Sequence, residues 1–105
     1  MTGYVLHPEV FDDLDQIYEY IGSFNARAAD RVLDELFAAF DSLPLFPHQG
    51  RRRPELTSQP LRFKVVRTYL IAYAPELEPL WIVAVIDGRR SPRVIAALLR
   101  GRDSL

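Results

Sequence analysis

Residues 61–73 of the chain read LRFKVVRTYLIAY, and residues 81–86 read WIVAVI. Together they contain three apolar runs rich in β-branched and aromatic residues, a composition typical of β-strands. The short connection at Arg67-Thr68 predicts an antiparallel pair, and the three runs together predict a β-meander. The third run is apolar on both faces, so it predicts a strand that is central in its sheet or covered by a helix.

The first half of the chain predicts a pair of helices. Apolar residues recur at helical spacing from Glu9 to Ile21, and acidic residues on the opposite face are expected to be solvated. A second apolar stripe follows Asn25, a favoured N-cap residue, and ends at Pro44. Because only about four residues separate the two helices, we expect them to pack as an antiparallel hairpin.

Two further elements complete the predicted fold. Tyr4-Val5-Leu6 reads as a short strand before the hairpin, and Ser91-Pro92 reads as the capped start of a helix after the meander. The predicted order is therefore β-α-α-β-β-β-α. We predict one α+β domain over residues 1–105, in which a four-stranded antiparallel sheet packs against the helical hairpin and a short C-terminal helix follows.

Charge is strongly segregated along the chain, although the net charge of the 105 residues is only −1. Residues 1–46 carry nine acidic and two basic residues, a net of −7, whereas residues 47–105 carry five acidic and eleven basic residues, a net of +6. Twelve of the thirteen basic residues are arginines, which bind phosphate or carboxylate groups in a bidentate manner. The second half therefore predicts a surface for an anionic or acidic partner.

Composition also excludes several classes of protein. The chain has no cysteine, so it can form neither a disulfide framework nor a thiolate metal site, which fits a cytoplasmic protein. The N-terminus does not read as a signal peptide, and no apolar run approaches the roughly 20 residues of a membrane span. We expect no metal, no cofactor and no membrane contact.

Several short motifs occur in an order and spacing that resemble one family. They are YVLHPE (4–9), DLDQIYEYI (13–21), the Leu43-Pro44 to Gly50-Arg51 loop, LR (61–62), YLIAY (69–73) and IDGRRSP (86–92). In this order the chain resembles the RelE/ParE superfamily of small bacterial toxins, and within it the ParE branch. The resemblance covers nearly the whole chain, although Asp87 stands where the family usually has histidine.

The resemblance implies the toxin of a type II toxin–antitoxin system. It implies a protein that inhibits DNA gyrase and growth without enzymatic chemistry. A cognate ParD-like antitoxin would neutralise it by wrapping a groove on the helices and sheet, and operator DNA would be contacted only through that antitoxin. The alternative is a ribosome-dependent mRNA endonuclease of the RelE branch.

Ribonuclease chemistry would need a general base and a general acid beside cationic groups. RelE-like nucleases commonly use a tyrosine or histidine after the last strand, but here no tyrosine or histidine follows Tyr73. His7 lies at a strand–helix junction, His48 lies in a loop, and Lys64 would need a lowered pKa. The sequence therefore predicts no catalytic residue.

Candidate binding residues follow from their chemistry and position. Four arginines at strand ends are candidates for binding the target: Arg62, Arg67, Arg89 and Arg90. Candidates for binding the antitoxin are Tyr18, Arg51, Arg52, Arg53 and Trp81. Aromatic and arginine side chains anchor protein interfaces, but the same residues also serve as structural ion pairs, core side chains or solvated loop charges.

Overall fold

The computed structural model describes residues 3–102 and contains the predicted elements in the predicted order. They are β1 (Tyr4–Leu6), α1 (Val10–Gly22), α2 (Ala26–Ser42), β2 (Arg62–Val66), β3 (Tyr69–Ala74), β4 (Leu80–Asp87) and α3 (Pro92–Arg100). The α+β class is confirmed. The N-caps are also confirmed, because Asn25 accepts from the Ala28 amide at 3.1 Å and Ser91 accepts from the Val94 amide at 3.3 Å.

The four strands form one mixed sheet in the order β1-β4-β3-β2. The meander β2-β3-β4 is antiparallel as predicted, and β4 is central. The prediction of a wholly antiparallel sheet is wrong, because β1 pairs with β4 in parallel. Short turns fix the direction of β2, β3 and β4, but the chain leaves β1 through two helices, so no turn sets the direction of β1.

Both faces of the sheet are covered by apolar side chains. The helical hairpin packs on one face, where its side chains meet alternate residues of β3 and β4. This cluster includes Leu14, Ile17, Leu36, Phe40, Ile71, Tyr73 and Ile82. The other face is covered by α3 and by the loop before β2, through Ile95, Leu99, Leu56 and Leu61. The predicted packing of the hairpin against the sheet is therefore confirmed.

A β-bulge in β4 changes which of its backbone groups face outward. Tyr73 lies opposite Ile82 and Ala72 lies opposite Ala84, so Val83 has no partner on β3. Val83 and Ala84 consequently pack on the same face of the sheet. Beyond the bulge the Gly88 amide donates to the Thr68 carbonyl of the β2–β3 turn at 2.7 Å. Because the backbone groups of successive strand residues point to opposite edges, this bond fixes which residues of β4 face β3 and which face the other edge.

A buried ion pair occupies the edge of β4 where β1 ends. The last backbone bond beside β1 runs from the His7 amide to the Ile82 carbonyl at 2.8 Å. Further along, the Val85 amide donates to Asp13 of α1 at 3.0 Å, and Arg102 donates to the Val83 carbonyl at 3.1 Å.

The two side chains of this pair also bind each other. The Arg102 guanidinium donates to the Asp13 carboxylate, with an Nη2–Oδ1 distance of 2.7 Å, and the side chains are 7% and 9% exposed. The expectation that Asp13 lies on the solvated face of α1 is therefore wrong. The pair joins α1, β4 and the end of α3, and it satisfies backbone groups that a longer β1 would have bound.

We predict that Asp13→Ala destabilises the fold by about 3–5 kcal/mol, because it leaves the buried Arg102 charge and the Val85 amide without their partner. Denaturant unfolding measures the change. The matched control is Asp15→Ala on the exposed side of the same helix, for which we expect a change within about 0.5 kcal/mol. Equal stability of the two variants would show that the ion pair does not hold these elements together.

Candidate functional site

An open cleft with a volume of about 630 Å³ lies beside the uncovered edge of β4. One wall is α1, which contributes Gln16, Ile17 and Tyr20, and the opposite wall includes Leu98 of α3. The Asp13–Arg102 pair also lines the cleft and fixes the relative positions of its two walls.

The floor of the cleft is a strand edge with backbone groups directed toward it. Because Gly88 pairs with Thr68, alternation turns the backbone groups of Ile86 toward β3 and those of Val85 and Asp87 toward the cleft. The Val85 amide is bound by Asp13, and the Asp87 carbonyl accepts from the Arg90 amide at 3.1 Å. The Val85 carbonyl and the Asp87 amide therefore face the cleft as one acceptor and one donor.

Two arginines follow this edge, and they differ in their partners. Arg89 forms a bidentate ion pair with Asp87, with distances of 3.0 Å from Nε to Oδ1 and 2.8 Å from Nη2 to Oδ2. The guanidinium of Arg90 makes no hydrogen bond or ion pair to any residue between 3 and 102, and its side chain is exposed. Arg90 is therefore the cation of this cleft that a ligand can engage without breaking an ion pair.

The other two target-binding candidates are held by structural contacts. Arg67 has a positive φ of 56° in the β2–β3 turn and forms a bidentate pair with Glu35 of α2 at 2.8 and 2.7 Å. Arg62 lies at the opposite end of the sheet and donates to the Gly50 carbonyl at 2.8 Å. Of the four candidate arginines, the structure thus brings Arg89 and Arg90 together in the cleft.

Tyr18 and Trp81, two of the antitoxin-binding candidates, do not line the cleft. The Tyr18 hydroxyl donates to Asp30 across the helical hairpin at 2.9 Å. Trp81 is half-buried against the apolar cluster beneath α3, and its ring lies 6.5 Å from the His7 ring. Their role in binding an antitoxin stays a prediction.

The three loop arginines lie toward the Arg62 end of the sheet. Arg51 forms a backbone bridge to Phe63 of β2, Arg53 pairs with Glu55, and Arg52 borders a small pocket of about 90 Å³ beside Arg62. None of the three lines the cleft, and their role in binding an antitoxin also stays a prediction.

Sequence reasoning missed the apolar walls of the cleft. Ile17 and Tyr20 occur at helical spacing in α1, a pattern that also describes core residues, and Tyr69 occurs in an apolar strand. Tyr20 is 59% exposed, whereas Tyr69 is 6% exposed. Burial, with the nearby charge of Asp87, raises the pKa of the Tyr69 phenol.

Neither a membrane span nor a metal cluster is found among residues 3–102. No helix in this range is both long enough and apolar enough to cross a membrane. The same residues contain no group of three or more histidine, aspartate or glutamate side chains placed to hold a metal ion.

The mixed α+β fold and the arginine-bearing cleft agree with the resemblance of the sequence to the RelE/ParE superfamily. A family model described as the ParE toxin of the type II toxin-antitoxin system parDE matches residues 4–92, which span the helical hairpin and all four strands. The chain therefore belongs to the ParE toxin family, the toxin component of a type II toxin–antitoxin system with an antitoxin as its partner. The resemblance seen in the sequence is confirmed. Among individually curated proteins, none matches the chain.

We predict that Asp87 titrates below 3.8, the ordinary value for its carboxyl group. The Arg89 guanidinium lowers the pKa of Asp87 by hydrogen bonding to the ionised form, and Arg90 contributes a smaller effect. The lowered pKa means that the pair stabilises the fold above the ordinary carboxyl pKa, and that this contribution is lost as the pH falls through the lowered value.

An NMR titration of the Asp87 carboxyl carbon checks this prediction. Arg89→Gln should raise the pKa toward 3.8, whereas Arg93→Gln, a change at an exposed position of α3, should leave it unchanged. An unchanged Asp87 pKa in Arg89→Gln would contradict the assignment of the ion pair.

Proposed function

We propose that this toxin acts in the cytoplasm by inhibiting DNA gyrase, without enzymatic chemistry, and that a ParD-like antitoxin neutralises it by occupying the cleft. Membership of the ParE family supports a toxin with an antitoxin partner. The observation that carries the finer proposal is the free Arg90 guanidinium beside the open edge of β4. One cleft would serve both partners, so binding of the antitoxin would exclude the target.

The cleft fits an acidic, partly apolar segment of an antitoxin. Ile17, Tyr20 and Leu98 provide apolar surface, while Arg90 provides a cation for a carboxylate. The Val85 carbonyl and Asp87 amide can bind the backbone of an extended segment, which is how peptides add to open sheet edges. On this proposal, operator DNA is reached through the antitoxin.

Inhibition of gyrase would use the same cationic end of the sheet. An arginine without an internal partner can bind a carboxylate of the target or a phosphate of its DNA in a bidentate manner. Arg89 and Arg67 would need to release Asp87 and Glu35 first, so their ion pairs oppose such binding. Arg90 is therefore the residue to test first.

We predict that purified toxin inhibits supercoiling by gyrase and that Arg90→Glu weakens this inhibition at least tenfold. A tenfold loss corresponds to about 1.4 kcal/mol, within the range expected for loss of one charge-assisted contact. The control is Arg93→Glu, because it makes the same charge change on the exposed surface of α3. Both variants should unfold at the temperature of the wild type. Normal supercoiling at saturating wild-type toxin would contradict the proposal.

We also predict that the antitoxin slows hydrogen exchange at the Asp87 amide, because this donor would bind the backbone of the added segment. Exchange measured by NMR on the free toxin and on the complex tests this. The Gln49 amide, which already donates to Phe46 in the loop between α2 and β2, serves as the control and should change little. If exchange at Asp87 is unchanged in a tight complex, the antitoxin does not bind this edge.

The alternative, ribosome-dependent cleavage of mRNA, is favoured by one observation: Tyr20 and Tyr69 share the cleft with Arg89 and Arg90. The raised pKa of Tyr69 opposes its use as a phenolate base. The Nε2 atom of His48 lies 3.3 Å from Oε1 of Glu76. This places His48 at the end of the sheet where Arg62 lies, and not in the cleft. Growth arrest with an SOS response and continued translation would support gyrase inhibition, whereas immediate loss of translation would support the nuclease.

A further inference from the structure

The outer face of the helical hairpin carries aromatic side chains that the fold leaves uncovered. Tyr18 of α1 bonds to Asp30 of α2, which fixes the register of the two antiparallel helices. Phe11 precedes Tyr18 by seven residues in α1, and Phe37 follows Asp30 by seven residues in α2. Because the helices are antiparallel, Phe11 and Phe37 therefore occupy opposite positions across the hairpin. Phe11 is 57% exposed and Phe37 is 40% exposed.

The apolar surface continues past the end of α2. Leu45 lies in the turn directly after α2, where its amide donates to the Ser42 carbonyl at 3.1 Å, and it is 72% exposed. We call this surface the outer seam, defined by Phe11, Asp15, Tyr18, Asp34, Phe37 and Leu45. Large apolar groups exposed side by side mark interaction surfaces more often than singly exposed ones do.

The outer seam lies on the side of α1 away from the cleft. A helix turns about 100° per residue, so the mean direction of Phe11, Asp15 and Tyr18 lies roughly 180° around the axis from the mean direction of the α1 residues that line the cleft. The core-facing residues of α1, such as Leu14, lie between these two directions. A partner on the outer seam therefore does not compete for the cleft.

The negative charge around the outer seam favours a partner with a positively charged surface. Asp15 and Asp34 lie between the aromatic positions, and both are exposed. The hairpin's two basic residues, Arg27 and Arg31, lie in the first half of α2, toward the Tyr18 end of the seam and away from Phe37 and Leu45. Like charge opposes the pairing of this face with its copy on a second molecule, and it also opposes nucleic acids and anionic lipid surfaces.

We propose that the outer seam docks a basic amphipathic helix of a protein partner. Apolar side chains of that helix would cover Phe11, Phe37 and Leu45, while flanking lysine or arginine side chains would pair with Asp15 and Asp34. This interaction goes beyond the proposed function of the cleft, because it uses the opposite side of α1. It gives the acidic half of the chain a binding role of its own.

Two synthetic helical peptides test the proposal against the purified full chain. Both carry the same leucine stripe, but one is flanked by arginines and the other by glutamates. We expect the arginine peptide to bind at least tenfold more tightly by calorimetry, and its affinity to fall as salt is raised. Equal affinity for the two peptides would overturn the charge argument.

Surface variants locate the interaction. Phe11→Ser combined with Phe37→Ser should weaken binding of the arginine peptide at least tenfold, whereas Val94→Ser, at a 45% exposed position of α3, should not change it. Circular dichroism shows whether each variant is folded. Peptide binding unaffected by the double variant would overturn the proposal.

The proposal would also be overturned by a wild-type dimer, detected by sedimentation, that the double variant abolishes, because a second copy would then cover the outer seam. Supercoiling assays test the cleft separately.

Discussion

The fold depends on how the edge of β4 is satisfied after β1 ends. β1 has three residues and β4 has eight, so most of the edge facing β1 lacks a strand partner. The Asp13–Arg102 pair supplies the missing acceptor and donor, and its own charges neutralise each other in a nearly buried position. One interaction therefore covers the part of the sheet edge next to the bulge and ties the first and last helices to it.

The same arrangement creates the cleft. The ion pair covers backbone groups next to the bulge, and the following part of β4 stays open between α1 and α3. The arginines at this end of the sheet differ in whether an internal ion pair already holds their guanidinium groups. Asp87 holds Arg89 and Glu35 holds Arg67, whereas Arg90 has no such partner within the described part of the chain. Of Arg67, Arg89 and Arg90, which lie at this end of the sheet, Arg90 is thus the one without an internal ion pair among residues 3–102.

The segregation of charge along the chain becomes a segregation in space. The acidic first half forms the hairpin, whose outer seam faces solvent, and the basic second half places arginines at both ends of the sheet. α1 belongs to both regions, since one side lines the cleft and the opposite side carries Phe11 and Tyr18. A single helix therefore separates two surfaces with different electrostatic character.

The sequence by itself determined the elements, their order and the family. Helical and strand periodicity, the caps at Asn25 and Ser91, and the motif order are local properties, and a short turn fixes the direction of neighbouring strands. These signals were sufficient for the α+β class and for the cover of the sheet by the hairpin. They also placed Arg89 and Arg90 at the end of a strand.

Tertiary structure alone decided the direction of β1, the bulge at Val83 and the burial of Asp13. The partner of Asp13 is Arg102, 89 residues away, and no local pattern distinguishes such a carboxylate from its solvated neighbours on α1. For the same reason the sequence could not distinguish an arginine held in an internal ion pair, such as Arg89, from one without such a pair, such as Arg90. A side chain's partners depend on how distant segments pack, which single-sequence periodicity does not encode.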